Sequence, residues 1–100
     1  MDKNQILDKL KIMKPELQSK YGFQEIMLFG SYAKDKARQD SDIDIAVTLE
    51  DEHQSLENLI NAKEELKVSL GKTVDLVYYD PECLNPIIKM QIDKEAVNVE

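Results

Sequence analysis

The stretch from Leu28 to Val47, Leu-Phe-Gly-Ser-Tyr-Ala-Lys-Asp-Lys-Ala-Arg-Gln-Asp-Ser-Asp-Ile-Asp-Ile-Ala-Val, limits the possible folds more than any other part of the chain. Glu25 to Phe29 reads as a short apolar strand, Gly30-Ser31 as a tight turn, Tyr32 to about Lys36 as the opening of a helix, and Asp42 to Thr48 as a second strand. In that second strand side chains alternate, so Asp42, Asp44 and Ala46 share one face while Ile43, Ile45 and Val47 line the opposite, buried one. The strand rise sets the Cα atoms of Asp42 and Asp44 about 6.5 to 7 Å apart, close enough to bracket divalent cations and to repel each other without one. A glycine followed by serine at a helix start leaves backbone N–H groups and a hydroxyl open to an anion, which suits phosphate. Strand, turn, helix and strand in this order call for an α/β arrangement in which a metal site and a phosphate site lie side by side.

Gly30-Ser31, ten residues, then Asp42-Ile43-Asp44, with Leu28-Phe29 and Ile45 as flanks, resembles the signature of the minimal nucleotidyltransferases, small members of the DNA polymerase β-like superfamily. The resemblance runs from Tyr21-Gly22 through Thr73-Val74-Asp75-Leu76-Val77 to Lys94-Glu95-Ala96-Val97. It implies an α/β (α+β) fold, a small mixed β-sheet with helices packed on it. It also implies that Asp42, Asp44 and Asp75 are catalytic metal ligands holding two Mg²⁺ ions, and that ATP is the substrate. Gly30 and Ser31 would then grip the β- and γ-phosphates, and Lys34 would neutralise the pyrophosphate leaving group. Ser31 has a second reading as a mere helix cap. Where family members commonly carry Ala-Arg-Gly, this chain has Ala33-Lys34-Asp35, which keeps a cation without the guanidinium fork or the glycine.

The family implies a partner as well, a HEPN-domain ribonuclease toxin that the nucleotidyltransferase neutralises, within a hetero-oligomer, by transferring AMP to a tyrosine. Two alternatives stand beside it: a non-catalytic antitoxin that neutralises a basic partner by occlusion, and a nucleotidyltransferase acting on a small molecule of the aminoglycoside type.

The length of 100 residues, 42% of them hydrophobic, suits one domain spanning 1–100 and leaves no room for a second that would hold the acceptor. With 20 acidic against 13 basic residues the net charge is −7, which argues against direct nucleic-acid binding. Cys83 alone cannot form an internal disulfide, the first residues have no signal-peptide pattern, and no apolar run would span a membrane, so a cytoplasmic protein is expected.

In chain order, Ile6, Leu7, Leu10, Met13 and Leu17 predict an amphipathic helix from about Asn4 to Ser19, capped by Asn4, broken near Lys14 by Pro15 and ended by Gly22. Leu49 to Ser55 reads as an acidic loop, with His53 exposed in it. Ser55 then caps a helix whose stripe is Leu56, Leu59, Ile60, Leu66 and Leu70, with Lys63-Glu64-Glu65 and Lys67 solvated and Gly71 as terminator. Lys72 to Tyr79 predicts a third strand carrying Asp75, which is either a solvent-facing acid or the third carboxylate of the site, and ending in Tyr78 and Tyr79 as core and rim. Asp80-Pro81 breaks that strand, and Cys83 is expected to be inert. Pro86 opens a short helix over Ile87 to Ile92 with Ile87, Ile88 and Ile92 inward, and Ala96 to Val99 predicts a terminal strand.

Overall fold

The computed structural model describes residues 2–49, 55–80, 82 and 84–99; His53, Pro81 and Cys83, and with them the readings made of these residues and of the 50–54 connection, lie outside the described residues. Helix α1 (Lys3–Tyr21) leads into β1 (Phe23–Phe29), the short α2 (Gly30–Ala33), β2 (Ile43–Leu49), α3 (Leu56–Leu70), β3 (Val74–Tyr78), α4 (Pro86–Glu95) and β4 (Val97–Asn98). The strands form one sheet in the order β3-β2-β1-β4. β1 is antiparallel to both β2 and β4, whereas β2 and β3 are parallel and joined through α3, so the sheet is mixed as expected.

α1 begins at Lys3, one residue before its expected start, and its cap lies two residues before the expected one. Asp2, not Asn4, is the cap: its side chain accepts from the Gln5 amide, and the Gln5 side chain accepts from the Asp2 amide, both at 2.9 Å. The expected break at Lys14 does not occur. Pro15 and Lys11 both lie on the exposed side, so the carbonyl that the proline leaves without a helical donor can turn to water, while buried Ile6, Leu10 and Leu17 hold the helix on the sheet.

One sheet face packs on α1 and α3 through Ile26, Leu28, Ile43, Ile45, Val47, Ala62 and Leu66. The other face is covered in part by α4, where Ile92 meets Met27, Phe29 and Ala46. Ala46 is therefore buried like its neighbours, while Asp44 on the same face stays partly exposed beside α4. In α3 the packed stripe is Leu59, Ala62, Leu66 and Leu70; Leu56 and Ile60, expected inside, are 74% and 52% exposed. Glu65, expected on the solvated face, is partly buried and pairs with Lys20 of α1 at 2.8 Å. Asn85 caps α4 and Pro86 occupies its first turn, but the helix runs on to Glu95, three residues past its expected end. Ile87 points outward, at 67% exposed, because Ile88 and Ile92 already fill the sheet side.

Candidate active site

The antiparallel register sets Phe29, the last residue of β1, opposite Asp44 of β2, so the chain turns at Gly30 directly beside that carboxylate. Gly30 has φ +76°, and a Cβ built on it would lie 2.9 Å from Asp44 Cγ and closer still to Oδ2. No larger residue fits between the turn and the acid. The parallel register then places Asp75 of β3 directly beside Asp44, and Val77 beside Ala46. Two carboxylates thus stand next to each other on the face that the Gly30-Ser31 turn borders.

These residues open onto a cleft of about 360 Å³ lined by Phe29, Gly30, Ser31, Lys34, Asp44, Asp75, Val77, Ile88, Gln91 and Glu95. Five of the six residues singled out in the sequence therefore share one cavity wall. Asp42 is the exception. β2 begins at Ile43, so the strand alternation that was to orient Asp42 does not extend to it, and its exposed side chain does not line the cleft. Its charge still reaches Asp44, whose pKa is pushed up to about 6 by desolvation first, then by Asp75 and then by Asp42.

Ser31 is not the helix cap. Phe29 holds that position without a side-chain bond, and among the described residues the Ser31 hydroxyl makes no hydrogen bond, so it stays available to a ligand. Lys34 closes α2 and reaches across to Glu95 Oε1 at 3.1 Å. Asp35, where the resemblance expects glycine, adopts the left-handed conformation a glycine would favour, with φ +58°.

Among the described residues no three His, Cys, Asp or Glu side chains converge closely enough to form a ready metal centre. The donor chemistry nevertheless fits a divalent cation: hard carboxylate oxygens, half-buried at Asp44 and mutually repelling, which positive charge would relieve. Glu95 escaped the sequence reading because the last helix was expected to stop at Ile92, and Gln91, inside that helix, because it belongs to no motif. The signal that could have found Glu95 is its place one helical turn beyond Gln91 and two beyond Ile88, on the same face of α4.

Among the described residues no helix is long and apolar enough to cross a membrane. The family model described as polymerase beta, nucleotidyltransferase matches residues 11–99. A Methanocaldococcus jannaschii protein, provisionally named a protein adenylyltransferase, is 41% identical over 80 residues, which cover 80% of this chain and 83% of that one. A toxin–antitoxin crystal structure with AMP-PNP superimposes with a TM-score of 0.75 at 28% identity, over 93% of this chain and 73% of that one. Similarity extends to a structure of a tri-AMPylated Shewanella oneidensis HEPN toxin in complex with MNT antitoxin, with a TM-score of 0.66 at 26% identity over 94% and 70% of the two chains.

Proposed function

The chain belongs to the polymerase beta nucleotidyltransferase family, and from that premise we propose that it transfers AMP from ATP to a hydroxyl, a tyrosine in the first instance, of a HEPN-type toxin and so acts as its antitoxin. The observation that carries this reading is the Asp44–Asp75 pair facing the Gly30-Ser31 turn in one cleft, with no room for a Cβ between turn and acid. The similarity to a toxin–antitoxin structure containing AMP-PNP, and to an antitoxin bound to an AMPylated toxin, supports both the nucleotide and the partner.

In the transfer, the acceptor oxygen forms a bond to the α-phosphorus of ATP, the bond from that phosphorus to the bridging oxygen breaks, and pyrophosphate leaves. The amides and hydroxyl of Gly30-Ser31 hold the terminal phosphates, and Lys34 lies where negative charge gathers on the leaving group. Asp44 and Asp75, with Asp42 at the approach, would hold Mg²⁺, which supplies charge neutralisation and a lowered acceptor pKa. Asp75, exposed at the cleft, or water would take the acceptor proton. No histidine is needed.

The test uses two samples of ATP, labelled at the α- or the γ-phosphate, incubated with Mg²⁺, this protein and its HEPN-type partner. AMP transfer leaves the α label covalently on the partner and releases the γ label in pyrophosphate. Retention of the γ label on the partner would instead mean phosphorylation, and retention of neither would favour neutralisation by occlusion.

A further inference from the structure

Lys34 does not lie loose on the surface. Its ammonium is 3.1 Å from Glu95 Oε1, with the lysine side chain 42% and the glutamate side chain 19% exposed. Both line the cleft with Gly30, Ser31, Asp44 and Asp75. Glu95 Oε2 is buried and has no hydrogen-bond partner among the described residues. An unsatisfied carboxylate oxygen opposes folding, and an ion pair open to solvent returns little against it. Stability therefore gives a poor reason for a glutamate at the end of α4, and its place beside the phosphate turn gives a better one.

We propose that Glu95 is a positioning residue for nucleotide binding, which holds Lys34 Nζ at the cleft wall in the orientation that the phosphates require. This rests on the nucleotidyltransferase reading and deepens it. A lysine is a flexible point charge without the rigid fork of arginine, and it loses much rotamer freedom when it engages a phosphate. Pairing with Glu95 removes that freedom before the nucleotide arrives, which is how preorganisation raises affinity. The ammonium has three donors, so Glu95 takes one and leaves two for phosphate oxygens. Because Lys34 ends α2 and Glu95 ends α4, the pair also fixes the turn against the helix that walls the cleft.

ATP affinity in Mg²⁺, measured calorimetrically for wild type, Lys34→Met, Glu95→Ala, Glu95→Gln and the Lys34→Met/Glu95→Ala double variant, tests the proposal. Glu95→Ala should weaken binding about 5- to 30-fold, as should Lys34→Met, and the double variant should be no weaker than Lys34→Met alone, because both act through one cation. Glu95→Gln, whose amide oxygen still accepts from Nζ, should recover most of the loss. Should Glu95→Ala fail to fold, Glu95→Asp, with its carboxylate withdrawn by one methylene, gives the same reading. Unchanged or tighter binding by Glu95→Ala, or full additivity in the double variant, would overturn the role of Glu95 and leave the nucleotidyltransferase reading standing. If folded wild-type protein binds no ATP, that reading falls and takes the role of Glu95 with it.

Discussion

Asp44 pairs with Asp75 across the β2–β3 ladder, half-buried, with its pKa raised from 3.8 to about 6. An acid whose folded pKa lies above its unfolded value binds more protons in the native state over the interval between them. Its contribution to stability is therefore complete below about pH 4 and is lost as pH rises through about 6. Metal-free wild type should lose stability across that window relative to Asp44→Asn. At pH 7 the variant should be more stable by up to about 1 kcal/mol, a figure discounted for the half exposure of the group. Thermal melts of both proteins across pH check this, and Mg²⁺ should raise the melting temperature of wild type alone. A strongly destabilised Asp44→Asn would mark the carboxylate as structural. Gly30→Ala should cost at least about 2 kcal/mol in denaturant unfolding, because alanine meets both the left-handed φ and the Asp44 carboxylate. Gly30, Ser31 and Asp44 were readable from the sequence as neighbours, since motif spacing and strand alternation place them without knowledge of the packing, whereas Lys34 and Asp75 joined them only through the family resemblance. The direction of Asp42 was not readable, because alternation is silent outside a strand, and neither was Glu95, whose meaning depends on a contact between distant helices.

Elements were legible wherever a local signal and the packing agreed. Gly22 and Gly71 end their helices in left-handed conformations, and Ser55 caps α3, all as the sequence predicts. Pro15 misleads because a proline on the wet side of a well-anchored helix is a cost that packing can absorb. Pro15→Ala should accordingly stabilise the protein by about 1 to 3 kcal/mol in urea unfolding, by restoring the bond to Lys11 and removing the poorest helix former. A destabilised variant would mean that the proline is used elsewhere in the packing. The stripe of α3 was misjudged only in part: Leu59, Leu66 and Leu70 face inward as expected, whereas Leu56 and Ile60 satisfy a helical period loosely and lie outside, and the packing against the core buries Ala62 instead. Lys20 shows the same dependence on neighbours, since Glu65 and Glu16 together raise its pKa and the pair with Glu65 ties α1 to α3.

At the scale of the whole molecule, the cleft is a groove walled on one side by α4, and the mixed sheet behind it carries the carboxylates without enclosing an acceptor. Positioning the acceptor must then come from docking, which supplies most of the entropic advantage of an oriented reaction. With a net charge of −7, association with a partner that presents basic surface should slow as salt rises, which stopped-flow binding at several ionic strengths would show. On the proposed function, neutralisation of the toxin is a covalent AMP transfer assembled around Asp44. The most direct measurement incubates the HEPN-type partner with ATP, Mg²⁺ and either wild type or Asp44→Asn, separates the proteins, and reads both the mass and the residual ribonuclease activity of the partner. The partner should carry AMP and stay inactive after separation from wild type, and should be unmodified and active after separation from Asp44→Asn. Equal neutralisation by both proteins in the mixture, with no AMP on the partner and full activity after separation, would contradict that function.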